Sequence, residues 1–258
     1  MSIAESIERA GPSPVRPRYA QTPDGAVVFD AESVDHARSD LFGPAAGRWQ
    51  AHPAGRGQVV VIDRGEREWV LRHYRRGGLV GRIGRDRYVW AGLALSRPWR
   101  EWHLIHDLYR QGFPVPRPIA ARVVRRRWSY TADLITERLP AFSLWDEVVA
   151  GRVGPERWAA VGRCIRRFHD AGVYHADLNA HNILLGAGEA VFLIDFDRGR
   201  RRRGKRWKRA NLKRLKRSLD KLQRQRDEVV FSSVDWRRLL RAYLAGGEKR
   251  RAWPSAGI

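Results

Sequence analysis

The sequence is poor in cysteine, in long apolar runs and, before Lys205, in lysine. Its single cysteine, Cys164, excludes a disulfide partner within the chain. Because no Cys/His spacing typical of a metal site is present either, a reducing compartment is indicated. No stretch approaches the ~20 apolar residues that a membrane-spanning helix needs, and the first residues lack the apolar core of a signal peptide. These absences predict a chain that stays in the cytosol, with adhesion to a membrane face still open to it.

Positive charge, by contrast, is in large excess. The 258 residues carry a formal net charge of +22, and the sequence pI is about 11.3. A hydrophobic content of 43% is enough for a sizeable core in one domain or one unit of two lobes. Such a charge attracts polyanions, which include nucleic acid, an anionic membrane surface and phosphorylated substrates. The charge alone does not choose among them.

Three polar residues are spaced as ATP-dependent phosphoryl transfer in a protein-kinase-like fold requires. Asn182 follows Asp177 by five positions, and Asp195 follows Asn182 by thirteen. In this chemistry the first carboxylate meets the acceptor hydroxyl, and the amide and second carboxylate are oxygen ligands suited to Mg²⁺ on the nucleotide phosphates. Taken singly, these residues could serve as a helix cap, a turn amide and a strand end. Together at this spacing they favour catalysis.

Histidines near these residues raise a zinc hydrolase as an alternative. His169, His175 and His181 lie close to carboxylates in the sequence, but none forms the HExxH pattern of that enzyme class. His175 is predicted to be a buried, hydrogen-bonded scaffold residue. Asp197, where protein kinases carry glycine, is predicted to pair with Arg198 rather than to bind metal.

Hydrophobic periodicity predicts an α+β chain with a strand-rich front and a helical back, which is the layout of a protein-kinase-like bilobal fold. Residues 1–23 are expected to be a flexible tail, residues 24–138 an N-lobe built on an antiparallel sheet, and residues 139–258 a mainly helical C-lobe, all in one kinase-like domain. The predicted strands are 27–30, 59–63, 69–74, 120–125, 129–137, 183–185 and 191–194. The predicted helices are 97–111, 156–171, 209–229 and 234–244.

Nucleotide contacts are expected from the N-lobe. Arg72 ends a strand where a phosphate-binding lysine is usual, and Glu101 on the following helix is its expected ion-pair partner. Gly55 and Gly57 could let backbone amides approach phosphate oxygens, although an ordinary loop fits them nearly as well. Arg72 could instead be a surface charge at a sheet edge. Because lysine is absent before Lys205, the phosphate-binding cation of the N-lobe must be an arginine if there is one.

The segment 198–217 contains thirteen Lys or Arg residues and no Asp or Glu. Such blocks are often disordered tails that bind nucleic acid, but Trp207, Leu212, Leu215 and Leu219 recur at near-helical spacing. They predict a packed helix with a basic outer face, within a basic helical segment 198–229. An anionic acceptor or anionic lipid head groups are the expected partners; nucleic acid and a solvated face without partner stay open. The residues assigned to this role are Arg198, Arg201, Arg202, Arg203 and Lys205.

Four segments resemble the 3-deoxy-D-manno-octulosonic acid (Kdo) kinases, a lipopolysaccharide kinase branch of the protein-kinase-like superfamily. They are residues 71–78 (LRHYRRGG), 113–118 (FPVPRP), 174–185 (YHADLNAHNILL) and 193–199 (LIDFDRG), within a likeness that runs over about 56–222. The resemblance implies ATP-dependent phosphorylation of the 4-hydroxyl of the Kdo residue on lipid IVA, at the cytoplasmic face of the inner membrane of a Gram-negative bacterium. The family's active-site Asp falls on Asp177, and the superfamily's metal ligands fall on Asn182 and Asp195.

The chain departs from ordinary protein kinases in ways that argue against a protein acceptor. Arg72 replaces lysine, Asn179 stands where a lysine usually follows the catalytic Asp, and an Ala-Pro-Glu element is absent. A heptose kinase of the same lipopolysaccharide core is the rival within the enzyme class. A catalytically silent kinase-like protein that binds nucleic acid is the rival from another class, but such a protein has no reason to keep Asp177, Asn182 and Asp195 together. No nucleic-acid partner is therefore expected.

Overall fold

The structure is a computed structural model, and it describes residues 14–36, 39–43, 48–50, 59–65, 67–74, 86–225 and 231–246. The chain divides into two compact units. One consists of Met1–Leu139 with Phe196–Arg198, and the other of Pro140–Asp195 with Gly199–Ile258. No described helix is both long and apolar enough to cross a lipid bilayer.

An antiparallel sheet makes up most of the first unit. Its strands are β1 (Pro17–Thr22), β2 (Gly25–Asp30), β3 (Arg48–Gln50), β4 (Val59–Asp63), β5 (Glu68–His73), β6 (Tyr88–Val89), β7 (Pro118–Arg126) and β8 (Ser129–Glu137). Neighbours follow the order β1-β2-β7-β8-β5-β4-β3, and β6 pairs with β8 outside this path. The run Val-Val-Val-Ile in β4 buries alternate residues, Val60 and Ile62, as a strand with one core-facing side must.

Among the described residues of this unit, the α-helix α1 (Arg97–Arg110) packs against β7. It begins with proline at the second position, where a missing N–H removes no helical hydrogen bond. Trp102, Ile105 and Leu108 recur at helical spacing on one side of the helix and are fully buried, while Tyr109 is partly exposed. Each such side chain contributes roughly 1.5–3 kcal/mol through removal of apolar surface from water. This packing fixes the face of the helix that carries Glu101.

The expected flexible tail over residues 1–23 is wrong for its last part. Residues 17–22 form β1, paired with β2 along its whole length, while residues 1–13 lie outside the described residues. Asp30 at the end of β2 accepts a hydrogen bond from the backbone N–H of Arg16 at 2.9 Å and forms a buried ion pair with Arg117 at 2.6 Å. These contacts tie the segment to the sheet. The Pro- and Ser-rich composition concealed a strand that forms a hairpin with β2.

The part of the second unit that the structure describes contains four α-helices and five short strands. The helices are α2 (Leu144–Val149), α3 (Pro155–Asp170), α4 (Arg206–Gln225) and α5 (Ser233–Ala245). The strands are β9 (Phe142–Ser143), β10 (Val173–Tyr174), β11 (Ile183–Leu185), β12 (Val191–Leu193) and β13 (Arg200–Arg201). They form two antiparallel sheets, β12-β11-β9 and β10-β13.

Close contact between α3 and α5 organises the core of this unit. A Cβ atom at Gly162 would lie 2.2 Å from the carbonyl oxygen of Leu239, so only glycine permits this approach. Trp158, Ile165 and the other predicted stripe residues of α3 are buried. Cys164 is a core residue as expected, and burial raises the pKa of its thiol to about 12, which leaves it unreactive.

The basic segment forms a packed helix, α4, as predicted, and not a disordered tail. Trp207, Leu215, Leu219 and Leu222 are buried along one side. Cationic side chains are exposed along the opposite side, at positions 206, 209, 213, 217, 221 and 224. The helix begins three residues earlier than predicted and is described to Gln225.

Candidate active site

The loop that carries Asp177 runs from β10 to β11 through a short 3-10 turn, Ala180–Asn182. Asn179 caps that turn, because its side-chain oxygen accepts hydrogen bonds from the backbone N–H groups of His181 and Asn182 at 2.9 and 3.2 Å. An asparagine in the place of the usual lysine therefore shapes the loop. Asp177 itself keeps its carboxylate half exposed, with a side-chain exposure of 46%.

Arg214 of α4 binds the Asp177 carboxylate. Its Nε donates a hydrogen bond to Oδ1 at 2.7 Å, and its Nη2 lies 2.6 Å from the same oxygen as part of the ion pair. A charge-assisted hydrogen bond and a close ionic contact at one oxygen orient the carboxylate. Sequence reasoning missed this residue, since nothing distinguishes Arg214 from the other cations of the basic run.

His175 joins the loop to the strand that leads to Asp195. Its Nδ1 accepts the backbone N–H of Asp177 at 3.2 Å, so its Nε2 carries the proton and donates to the carbonyl of Ile194 at 2.9 Å. Burial lowers the pKa of His175, which keeps the ring in this neutral form. Its place as a buried, hydrogen-bonded scaffold residue agrees with the prediction.

Asn211 of α4 holds the same part of the loop from the other side. It is buried, its Nδ2 donates to the carbonyl of His175 at 2.8 Å, and its Oδ1 accepts the backbone N–H of His175. Ser218, two helical turns further along α4, accepts the backbone N–H of Ala180 at 3.2 Å. Polar residues at helical spacing with buried leucines are a signal that could have revealed both. The basic helix thus supports the catalytic loop directly.

The hairpin β11–β12 brings Asn182 and Asp195 to its open end. Ile183 pairs with Leu193, and the next backbone bond runs from the N–H of Ile194 to the carbonyl of Asn182 at 3.1 Å. Asp195 follows directly, with φ 60°, in the left-handed region that a non-glycine residue seldom adopts. Such a backbone outlier is typical of functional residues held by their surroundings.

These two side chains fit a magnesium ion. The Nδ2 of Asn182 donates to the carbonyl of Asp177 at 2.8 Å, which fixes the amide with its oxygen as the group able to bind a cation. Mg²⁺ takes few protein oxygens and completes its shell with water and substrate phosphates. Within the described ranges, no group of three or more His, Cys, Asp or Glu suits a metal ion.

The three histidines behind the zinc alternative are engaged separately. His169 contacts the Tyr243 hydroxyl at 2.9 Å, His175 bridges the loop as above, and His181 stacks on Trp145 with ring centroids 4.3 Å apart. A catalytic zinc site needs three converging protein ligands. The arrangement of these rings gives that alternative no support.

In the first unit, the expected ion pair between Arg72 and Glu101 is present. Nη2 of Arg72 lies 2.5 Å from Oε1 of Glu101, and the hydroxyl of Tyr74 donates to the other carboxylate oxygen. The Glu101 side chain is 1% exposed and that of Arg72 26%, so one face of the guanidinium reaches solvent. Arg72 is therefore paired to the core and is not a plain edge charge. Gly55 and Gly57 lie outside the described residues.

The prediction that Asp197 pairs with Arg198 is wrong. Asp197 forms an ion pair with Arg97, the first residue of α1, whose Nε donates to Oδ1 at 2.8 Å. Arg97 also lies over the ring of Tyr88 at 4.7 Å. Arg198 has φ 59° and is exposed, which turns it away from this contact. A partner one hundred residues away was not visible in the local sequence.

The other predicted acceptor or membrane residues lie on β13 and the loop before α4. Arg201, Arg202, Arg203 and Lys205 are all exposed. Arg201 donates to the carbonyl of Ala171 at 2.9 Å, and Arg202 lies over the ring of Tyr174 at 4.8 Å. These contacts hold the backbone of this segment beside β10 and leave a cationic surface in the second unit.

The first unit is an antiparallel sheet with an arginine–glutamate ion pair. The second unit is mainly helical and carries a loop aspartate and a hairpin with an asparagine and an aspartate. These features define a phosphotransferase of the protein-kinase-like fold. The sequence profile of the lipopolysaccharide kinase (Kdo/WaaP) family matches residues 42–243, and the chain belongs to this family. A kinase of this family uses ATP and an acceptor with a hydroxyl group.

Relatives of this chain include two proteins named 3-deoxy-D-manno-octulosonic acid kinase. The 3-deoxy-D-manno-octulosonic acid kinase of Xanthomonas euvesicatoria pv. vesicatoria (strain 85-10) is 46% identical over 227 residues, which is 85% of this chain and 89% of the relative. That of Stenotrophomonas maltophilia (strain R551-3) is 45% identical over 225 residues, with the same coverage. A solved structure, the bifunctional kinase-methyltransferase WbdD, aligns with all of this chain at 18% identity and a TM-score of 0.49. The chain spans 59% of that molecule, and so weak a likeness carries no functional information.

Proposed function

We propose that this protein is an ATP-dependent kinase that phosphorylates the 4-hydroxyl of the Kdo residue on Kdo-lipid IVA, in the biosynthesis of the lipopolysaccharide inner core. The observation that carries the proposal is the hydrogen-bonded frame of Asp177 and Asn182, in a chain 46% identical to a Kdo kinase. The name of that relative supports a Kdo residue as the acceptor, and the hydrogen-bonded frame supports phosphate transfer as the reaction.

Asp177 orients the attacking hydroxyl and accepts its proton late in the transfer. Arg214 engages Oδ1 with a hydrogen bond and an ionic contact, so Oδ2 is the oxygen proposed to meet the acceptor. The guanidinium also favours the ionised carboxylate, the form that can accept a proton. Arg214 is in this account a positioning residue, since it acts through Asp177.

Asn182 and Asp195 would hold Mg²⁺. The ion, when bound, neutralises charge on the nucleotide phosphates during transfer. Asn182 contributes its amide oxygen in the orientation that its bond to the Asp177 carbonyl fixes. Asp195 contributes its carboxylate from a strained backbone position, which His175 supports through the carbonyl of Ile194.

Arg72 binds ATP phosphate oxygens in this proposal. The buried carboxylate of Glu101 and the hydroxyl of Tyr74 hold its guanidinium in place, while its exposed part faces solvent. Arginine offers a planar fork in place of the compact ammonium of lysine, which suits paired phosphate oxygens. Amides at Gly55 and Gly57 are proposed as further phosphate contacts.

The acceptor carries carboxylate and phosphate groups, and it is anchored in lipid. The exposed cations Arg198, Arg201, Arg202, Arg203 and Lys205 are proposed to attract it. A net charge of +22 favours peripheral binding to the anionic cytoplasmic face of the inner membrane, where each Lys or Arg near the surface adds roughly 1 kcal/mol. Nucleic acid is not expected as a partner.

Mass spectrometry of the lipid product tests this function. The purified protein is incubated with ATP, Mg²⁺ and Kdo-lipid IVA, and in parallel with a core acceptor that presents heptose. We expect one added phosphate on the Kdo residue and none when the 4-hydroxyl is absent. Phosphate on heptose alone would replace the proposal with a heptose kinase, and no phosphate on either acceptor would remove it.

A further inference from the structure

The tip of the β7–β8 hairpin displays an apolar surface that the active site does not use. Because Arg126 pairs with Ser129, the turn consists of Arg127 and Trp128 alone, and the Trp128 side chain is 84% exposed. Val89 of β6 and Leu95 just before α1 are also exposed, at 73% and 61%. Folding normally buries side chains of this size, and a tryptophan this open at a hairpin tip is available to a partner.

Backbone pairing places Val89 beside the tip of the β7–β8 hairpin. Val89 pairs with Ser129, next to Trp128 in the chain, and the backbone N–H of Trp90 donates to the carbonyl of Trp128 at 2.9 Å. Trp128 and Val89 are called the apolar tip from here on. Because β6 and the hairpin belong to one sheet, the sheet fixes the position of both residues.

Arginines surround the apolar tip. Arg125, Arg126 and Arg127 are exposed, and Arg125 lies over the ring of Trp90 at 5.2 Å. Asp24 in the β1–β2 turn is a neighbouring acid, because its carbonyl oxygen accepts the backbone N–H of Arg125 at 2.7 Å. Three arginines outnumber this one carboxylate, so the surface combines exposed apolar groups with a net positive charge.

The turn places a charged residue, Arg127, in an unfavourable backbone conformation. Arg127 has φ 50°, in the left-handed region where glycine or asparagine is the ordinary choice for a two-residue hairpin turn. Glycine would relieve this strain but would remove the guanidinium. A charged residue at the less favourable backbone position is consistent with use of the side chain at this site.

We propose that the apolar tip and its arginines dock on an anionic lipid bilayer, with the Trp128 ring at the level of the head groups. Tryptophan is enriched at membrane interfaces because its ring is amphipathic, and arginines beside it attract anionic lipids. This inference rests on the proposed function and deepens it, because it names the part of the chain that meets the membrane holding the acceptor.

Charge and shape favour a bilayer over other occupants. A symmetric contact with a second copy would set the arginines of one tip against those of the other, and like charges repel. Single-stranded nucleic acid could stack on Trp128, but a phosphate groove gives no role to the exposed Val89 beside it. An aliphatic side chain fits the boundary between head groups and acyl chains.

Vesicle binding of designed variants tests the inference. Trp128→Ala removes the ring from an exposed position, and the double variant Arg126→Gln/Arg127→Gly removes two charges while relieving the positive φ. The matched control is Arg241→Gln/Leu244→Ala on α5, which removes an exposed cation and a leucine exposed by 66%. All are compared with the wild type on phosphatidylglycerol vesicles and on phosphatidylcholine vesicles.

We expect the arginine double variant to bind phosphatidylglycerol vesicles about 25-fold more weakly, which is about fivefold for each charge. Trp128→Ala should lose binding as well, and the control should bind like the wild type. The double variant should melt no lower than the wild type, because glycine accepts the turn conformation. Unchanged vesicle binding by both tip variants would overturn the inference, whatever their activity.

Kinase assays separate this inference from the proposed function. On Kdo-lipid IVA in vesicles, the tip variants should lose activity; on a water-soluble Kdo glycoside, they should match the wild type. The wild type could be inactive on both acceptors and still bind vesicles through the apolar tip. This result would refute the proposed function and support the membrane-docking surface. Loss of dimerisation or of oligonucleotide binding in Trp128→Ala, with vesicle binding intact, would assign the tip to another partner and overturn the proposal.

Discussion

Replacing Arg214 by glutamine should separate catalysis from stability. The Arg214 guanidinium donates a hydrogen bond from Nε to Oδ1 of Asp177 at 2.7 Å, its Nη2 lies 2.6 Å from the same oxygen, and the two side chains are 47% and 46% exposed. Exposed ion pairs contribute about 0–1 kcal/mol to folding, so the melting temperature should hardly change. Without these bonds the Asp177 carboxylate can rotate away from the acceptor hydroxyl.

The expected loss in kcat is about tenfold, equivalent to about 1.4 kcal/mol in the activation free energy. This is less than the ~100-fold or more that removal of a general base costs, because the carboxylate itself remains. Arg214→Lys should recover part of the rate, since an ammonium keeps the positive charge but cannot reproduce both contacts of the guanidinium with Oδ1 of Asp177. Lys213→Gln is the matched control, because Lys213 is exposed on the same helix and forms no ion pair among the described residues.

Initial rates with radiolabelled ATP and a Kdo-lipid acceptor give kcat and KM for each variant. Thermal unfolding of the same preparations measures stability. A wild-type kcat in Arg214→Gln would refute the positioning role. So would a rate loss that the stability loss accounts for, or an equal loss in Lys213→Gln.

Glu101→Gln should raise the KM for ATP and lower the free energy of unfolding by up to about 3–5 kcal/mol, because it removes the buried carboxylate that pairs with Arg72. Nucleotide titration measures the first effect and chemical denaturation the second. An unchanged KM would exclude Arg72 from the nucleotide site. Asp195→Asn should abolish the Mg²⁺ dependence of ATP binding in calorimetry; a Mg²⁺ effect equal to that of the wild type would contradict its role as a ligand. Burial lowers the pKa of His169 from 6.5 to about 4, so acidification through this interval protonates the unfolded chain first. The free energy of unfolding should therefore fall by about 3 kcal/mol between about pH 7 and pH 4 on account of this residue. Urea denaturation of His169→Phe should show a shallower fall, and identical slopes would rule the explanation out.

Features set by local pattern could be predicted from the sequence. The apolar stripe of Trp102, Ile105 and Leu108 predicted the buried face of α1, and the β-branched run over residues 59–63 predicted the strand β4. The spacing of Asp177, Asn182 and Asp195 reflects a short loop followed by a hairpin, so one contiguous segment was enough to propose it.

Features set by distant contacts could not be predicted. Arg214 lies 37 residues from Asp177, and Arg97 lies 100 residues from Asp197. Among so many arginines no local signal distinguishes the one that pairs. The strand over residues 17–22 was missed although it pairs with the adjacent β2, and part of what holds it is distant, because Asp30 forms its ion pair with Arg117, 87 residues away.

The most direct test of the central claim is phosphate transfer from radiolabelled ATP to Kdo-lipid IVA by the wild type and by Asp177→Ala. Removal of the carboxylate should lower the rate at least ~100-fold, while Mg²⁺-dependent ATP binding through Asn182 and Asp195 should persist. Equal rates in the two proteins would contradict the assignment of Asp177.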